Sequence, residues 1–441
     1  MQDRIIEPTK EETTASPSLG EMTRVFCRIG LLSFGGPAGQ IALMHKELVD
    51  DRRWISEPRF LHALNFCMLL PGPEAQQLAT YVGWLLHGVR GGLIAGTLFV
   101  LPGFFVILGL SIAYVLFQDA TLVAGIFFGL KAAVLAIVIE ALVKVARRAL
   151  KTRAAWVIAG LAFAAVYVFG VPFPLVILAA AAAGFIGARG TPPAAETEAV
   201  AAPVGLGRIM RTIAIGLALW AAPVAALALV FGGDSVFVPI ASFFSQMAVV
   251  TFGGAYAVLA YVAQEAVGGF GWLRPGEMLD GLALAETTPG PLVLVLSFVG
   301  FLAAFRDPGV LDPILAGVIG AALTTWVTFV PCFLWIFLGA PYVERLRRIP
   351  ALAGALQAIT AAVVGVILNL TVWFGLHVLF REVAVLDLGP AAPPVPILAT
   401  LDPWALLLSL AALAALLWLK VGLIPTLAAA AIAGLALQLL A

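Results

Sequence analysis

The chain is two copies of one pattern, and the pattern turns on adjacent glycines set in apolar sequence. Ser33-Phe34-Gly35-Gly36-Pro37 returns as Thr251-Phe252-Gly253-Gly254-Ala255. The same shift of 218 positions, the distance from Gly35 to Gly253, carries Phe26 onto Phe244, Glu47 onto Glu265, Trp54 onto Trp272 and Pro71-Gly72-Pro73 onto Pro289-Gly290-Pro291. Past the Pro-Gly-Pro the shift grows to 229, the distance from Gly88 to Gly317. In that register Gly91, Pro102, Phe104, Gly125 and Ala132-Ala133-Val134 fall on Gly320, Pro331, Phe333, Gly354 and Ala361-Ala362-Val363. Each half is one structural repeat.

Such a chain cannot present itself to water. Of 441 residues 62% are hydrophobic and 11% charged, a balance that a soluble surface does not tolerate. Long Leu/Val/Ala/Ile/Phe runs without polar alternation predict membrane helices, not a barrel. The fold class is an all-α integral membrane protein. Cys27, Cys67 and Cys332 lie in apolar segments with no metal-type spacing and read as packing residues.

Residues 1–19 form a polar, acidic, soluble tail without the apolar core of a signal peptide. The first repeat covers 20–189, residues 190–207 a proline-rich linker, 208–232 a single connecting transmembrane helix, and 233–441 the second repeat. Within the first repeat, helical arms are expected at 21–33, 38–49, 60–70 and 74–87. At about 1.5 Å per residue, none crosses a hydrocarbon core of about 30 Å. They read as re-entrant hairpins whose tips must be buried in protein or face water. Spans follow at 90–117, 121–148, 154–170 and 172–188, and again in the second half at 312–340, 350–378, 403–419 and 422–441.

Charge placement sets the topology, because Lys and Arg gather in short cytoplasmic loops. Lys144, Arg147, Arg148, Lys151 and Arg153 follow the second span of the first half, whereas Arg345, Arg347 and Arg348 follow the first span of the second half. Swapped signs and one odd helix both predict inverted-topology repeats with broken helices and a cytoplasmic N terminus, the plan of a secondary transporter.

Helix N-termini with free N–H groups can bind an anion. Those following Gly35-Gly36, Gly72, Gly253-Gly254 and Gly290 are expected to converge near the midplane on a bound oxyanion, although Gly and Pro also simply start and stop helices. Arg28, two turns before Gly35, is placed either to reach that anion or to snorkel towards headgroups. Lys131 sits in mid-span, where an ionisable residue is costly and usually functional, and is expected near the oxyanion on the substrate or ion pathway. Glu74 and Gln77 share a face of the arm after Pro-Gly-Pro and are candidates to hydrogen-bond substrate at the tip. Glu74 is either a first-turn carboxylate favoured by the helix dipole or a proton carrier, and Glu286 carries the same ambiguity. Glu140 stands i,i+4 to Lys144. No metal spacing, zinc helix or nucleophile elbow is present, so neither an enzyme nor a cofactor is expected.

Phe34-Gly35-Gly36-Pro37, the Glu47 to Trp54 stretch, Asn65 through Pro71-Gly72-Pro73-Glu74-Ala75-Gln76-Gln77, and Tyr81-Val82-Gly83-Trp84 resemble the chromate ion transporter family, in its long two-domain form. The resemblance covers nearly the whole chain. It implies export of chromate across a bacterial inner (plasma) membrane driven by the proton-motive force, with sulfate as a related dianion. The second copy departs from the first with Ala255 for Pro37 and Leu292, Val293, Leu294 for Glu74, Ala75, Gln76, which sets the two half-sites apart. Transport of sulfate or another oxyanion and an anion channel are the alternatives. The expected partners are the anion and the lipid bilayer, with a homo-oligomer left open and nucleic acid excluded.

Overall fold

A computed structural model describes residues 17–118, 120–189, 205–252, 255–274, 276–340, 350–386, 388–389 and 391–440. The acidic tail up to residue 16, the linker over 190–204, Gly253-Gly254 and the segment with Arg345, Arg347 and Arg348 lie outside the described residues.

Helix α1 (Leu19–Leu32) starts at Ser18, whose hydroxyl accepts the Glu21 N–H at 3.2 Å, and buries Met22, Val25, Phe26 and Ile29 along one face. It stops at Ser33, whose hydroxyl turns back to the Ile29 carbonyl at 2.6 Å. Gly35 and Gly36 then take φ of 85° and 68°, a left-handed turn open to glycine without steric cost. The chain restarts as α2 (Gly36–His45), with Pro37 in its first turn, and ends in a π-helical turn, Lys46–Asp51. There His45 lies between Glu57 and Asp50, and its hydrogen bond to the Glu57 carboxylate holds its pKa above the ordinary histidine value.

After α3 (Glu57–Cys67) and the Pro-Gly-Pro comes α4 (Glu74–Phe117), two helices folded back on each other. The turn is His87-Gly88, where Gly88 takes φ 61°. Gly83 meets the Gly91 carbonyl and Gly96 meets the Thr80 hydroxyl too closely for a Cβ at either glycine. Then follow α5 (Thr121–Ala149), α6 (Arg153–Tyr167) and α7 (Phe173–Gly187).

Helix α8 (Leu206–Phe231) buries none of its residues within the chain; so apolar a helix with no buried face belongs in lipid. The order then repeats: α9 (Phe237–Val250), α10 (Ala255–Gln264) with its own π-helical turn Glu265–Gly269, and α11 (Glu277–Thr287). A 3-10 turn Leu292–Leu294 leads into α12 (Val295–Arg306), followed by α13 (Pro313–Gly339), α14 (Pro350–Leu379), α15 (Pro403–Leu417) and α16 (Leu423–Leu440). Between α14 and α15 lies a two-stranded antiparallel ribbon, β1 (Val383–Val385) with β2 (Pro394–Pro396).

Six described stretches are long and apolar enough to cross a membrane: α4, α5, α8, α13, α14 and α16. The expected spans 154–170, 172–188 and 403–419 are shorter than sequence implied. Helices α6, α7 and α15 have 15 residues each, about 22 Å at the helical rise. Left-handed turns take up the remainder, at Gly170 (φ 61°) between α6 and α7 and at Lys420 (φ 53°) after α15.

The halves interlock by exchange. Helix α5 packs on α15 and α16 of the other half, and α14 packs on α6 and α7. Glycines set the spacing. A Cβ on Gly129 would overlap the Ala430 carbonyl oxygen, and one on Gly354 would meet Ala188 and the Gly184 carbonyl. Gly129→Val is therefore expected to cost the protein its native packing, by about 1–3 kcal/mol or more. Gly160→Val, with open space around it, is expected to leave unfolding unchanged. Thermal unfolding of the two purified variants in detergent checks this.

Candidate functional site

The two broken-helix motifs meet across the halves. The Gly72 N–H donates to the Thr251 carbonyl at 2.7 Å, and the Gly290 N–H donates to the Ser33 carbonyl at 2.8 Å. Gly290 and Thr251 are the repeat copies of Gly72 and Ser33, so these bonds are one interaction made twice. Each Pro-Gly-Pro tip is thereby tied to the residue, Thr251 or Ser33, that ends the first arm of the opposite half. Gln40, fully buried on α2, adds a side-chain N–H to the Gly290 carbonyl at 2.5 Å. Each bond thus sets the tip before one start, α4 or the Leu292–Leu294 turn, against the end of the helix that precedes another start, α10 or α2, and such starts leave first-turn N–H groups unpaired.

The predicted residues do not all gather there. Gly35 is exposed and Gly36 half-buried, and a Cβ on either would meet nothing within 4 Å. Gly72 (φ 121°) and Gly290 (φ 91°) are packed tightly, and their N–H groups are already engaged. Gly253 and Gly254 lie outside the described residues. Glu74 is the first residue of α4, at the tip. Gln77 is fully buried and donates to the Pro71 carbonyl at 2.7 Å, propping the loop from beneath, while its Oε1 has no partner among the described residues.

Glu286 joins the region from α11. It is 3% exposed and accepts a 2.7 Å hydrogen bond from the hydroxyl of Tyr256, in the first turn of α10 beside the second glycine pair. Arg28 stays on the surface of α1, 60% exposed, at 3.6 Å from Glu47, which also binds Arg52.

Lys131 is held elsewhere. Its Nζ is 3.1 Å from Asp280 Oδ1, and Asp280 Oδ2 accepts the Tyr114 hydroxyl at 2.9 Å. Asp280 lies in the first turn of α11, about 13 Å of helix from Pro289 at the tip. Beside it Arg306 grips Glu277 through two bonds of 2.6 and 2.8 Å and donates to the Trp272 carbonyl. Asp280, Tyr114 and Tyr256 were missed by sequence. Asp280 could have been flagged as a carboxylate in an apolar arm, but nothing local ties it to Lys131.

Removing one partner of a buried ion pair costs about 3–5 kcal/mol, and less here because the Lys131 side chain is 30% exposed. Lys131→Met is expected to lower the unfolding temperature, and Lys131→Met with Asp280→Leu to regain most of it. Unchanged unfolding with weaker substrate affinity would instead put Lys131 on the substrate.

Among the described residues no group of His, Cys, Asp and Glu has the arrangement of a metal site. The region offers backbone N–H groups and neutral side chains, which can donate to an anion, beside two carboxylates, which when ionised would repel one.

A family model described as "Chromate transporter" matches residues 20–185 and again 238–435. The chain is 34% identical to the chromate transport protein of Pseudomonas aeruginosa, over 82% of each chain. It is 29% identical to a probable chromate transport protein of Synechococcus elongatus over 81% of this chain and 85% of that one. With the chromate transport protein of Cupriavidus metallidurans the figures are 28%, 82% and 85%. No solved structure matches. By the match in both halves and by these relatives, the chain belongs to the chromate transporter family.

Proposed function

We propose that this protein exports chromate across the inner membrane, with the oxyanion held among the helix N-termini at the four tips and its movement coupled to the proton-motive force. The reciprocal bonds Gly72 to Thr251 and Gly290 to Ser33 support this reading, because each joins a broken helix of one half to a broken helix of the other. A tetrahedral dianion is strongly hydrated, so a site that removes it from water must supply several donors. Helix N-termini do so without the fixed positive charge that would oppose release. The halves are inverted in the membrane, the N terminus and the Arg147 to Arg153 segment are cytoplasmic, and Glu74 and Glu286 are the candidates to carry protons.

Proteoliposomes test the coupling. With membrane potential clamped and an acidic lumen, chromate is expected to accumulate inside above its external concentration, and to run down when a protonophore is added. Glu286→Gln is expected to leave downhill chromate exchange intact and abolish accumulation. Chromate that merely equilibrates, at a rate indifferent to the pH gradient, would refute coupling; competition by excess sulfate reads how far the site discriminates among dianions.

A further inference from the structure

The two halves are not in the same state. Helix α11 packs along α5, but its counterpart α3 makes no comparable contact with α14, the counterpart of α5. Between α3 and α14 lies instead a cavity of about 280 Å³, lined by Asn65, Met68, Leu69, Phe252, Gln357 and Thr360 among others. Asn65 and Leu69 lead into the Pro-Gly-Pro tip, and Phe252 directly precedes the second glycine pair. The cavity thus adjoins the tips.

In the other half α11 lies against α5, and the equivalent positions carry bulkier or charged side chains. Phe127 and Phe128 replace Leu356 and Gln357, Glu286 replaces Met68, and Lys131 replaces Thr360. There Phe127 packs edge-on against Tyr114, whose hydroxyl holds Asp280, and Asp280 holds Lys131. The filled half carries its own carboxylate against its own ammonium. The open cavity is lined by no such pair but by the amides of Asn65 and Gln357, both exposed and without a partner among the described residues, and the Thr360 hydroxyl, while Glu74 at the adjoining tip lies within electrostatic reach of Arg148. Arg148 stands over it, its guanidinium 2.9 Å from the Met68 sulfur, and forms no ion pair among the described residues. Lys131 and Arg148 are about 25 Å apart along α5, so the filled and open sites lie towards different ends of a membrane-length helix.

We propose that the cavity between α3 and α14 is the vestibule through which a tetrahedral oxyanion reaches the tips, with Asn65 and Gln357 as its neutral ligands and Arg148 drawing it in. Its closed counterpart between α11 and α5 is the opposite passage, shut by the Lys131–Asp280 pair. This inference rests on the chromate reading above. The Lys144 to Arg153 segment is the one that charge assigns to the cytoplasm, so the open vestibule faces the side from which an exporter loads. Neutral amides and one solvent-exposed guanidinium retain a dianion briefly and let it pass inward to the helix N-termini.

Initial rates of radiolabelled chromate uptake into proteoliposomes, at chromate concentrations well below saturation, test this. Asn65→Leu and Gln357→Leu are each expected to lower the rate about tenfold, the loss of one hydrogen bond to a charged group on the way in, while equilibrium binding at the tips stays near the parent's. Gln357→Glu, of the same size and at an exposed position, is expected to lower the rate further by repulsion. Phe128→Leu, at the matching position in the other half, is expected to stay within twofold. Elution in size-exclusion chromatography reports that each variant is folded. If Asn65→Leu, Gln357→Leu and Gln357→Glu all carry chromate at the parent rate while Gly36→Val does not, the vestibule is refuted and the tip site stands. If the parent protein itself carries no chromate, the substrate reading fails and this inference with it.

Discussion

Gly36→Val is expected to abolish chromate transport while leaving the protein folded and inserted. Gly36 has φ 68°, and an L-residue in the left-handed region costs roughly 1–2 kcal/mol, more when β-branched. That is a tolerable loss for a protein of this size, and a side chain there meets no neighbour within 4 Å. What the substitution takes away is close approach: the valine methyl groups would stand where an anion must come to reach the first-turn N–H groups of α2. The expected signature is a near-normal unfolding temperature and chromate flux at the level of empty liposomes. Gly36→Ala, with one methyl and less strain, should retain part of the flux. Flux at the parent rate in a folded Gly36→Val protein would reduce the glycine pair to a helix breaker.

Gly72→Val is expected to fail differently, by losing the fold as well as the activity. A Cβ at Gly72 would lie 2.7 Å from the Cys332 sulfur and 2.9 Å from Gln77 Nε2, and φ 121° is a conformation that L side chains rarely adopt. Relief requires the tip to move, which breaks the bond to Thr251 and the Gln77 prop on Pro71. Overpacking of about 1–3 kcal/mol, backbone strain of about the same size and a buried carbonyl left without its donor at about 1–3 kcal/mol add to much of a typical folding free energy. Yield of monodisperse protein and unfolding temperature should both fall sharply. Gly36→Val and Gly72→Val together separate a glycine kept for approach from one kept for packing.

The sequence was most legible where backbone chemistry is local. Both glycine pairs and both Pro-Gly-Pro breaks stand out as residue types, and the helices on either side of them end and begin there. The swap of shift from 218 to 229 falls in the stretch between the Pro-Gly-Pro tips and Gly88 or Gly317, where one half folds α4 back at His87-Gly88 and the other uses the longer turn between α12 and α13. Short helices α6, α7 and α15 were misjudged because hydropathy does not register the turns that end them.

Pairings between distant elements were not legible. Lys131 was visible as a mid-span cation, but its partner lies on another helix of the other half, and Asp280 carries no motif. Gln77 was read for its face on the helix, yet its amide is turned under the loop that precedes it. The unlike packing of α11 and α3 shows in the repeat alignment only as a few replacements, Leu356-Gln357 by Phe127-Phe128, Met68 by Glu286 and Thr360 by Lys131. Such asymmetry is a property of packing, and a duplicated sequence argues for equality where the folded chain has none.

The central claim is positional, and chromium itself can report it. Crystals grown with chromate, measured on both sides of the chromium absorption edge, should show one anomalous peak among the starts of α2, α4, α10 and the Leu292–Leu294 turn. Helix-start N–H groups should lie at hydrogen-bond distance from its oxygens, and the peak should vanish in Gly36→Val crystals. Chromium bound instead at Lys131, in place of the Asp280 carboxylate, with the four tips empty, would contradict the account.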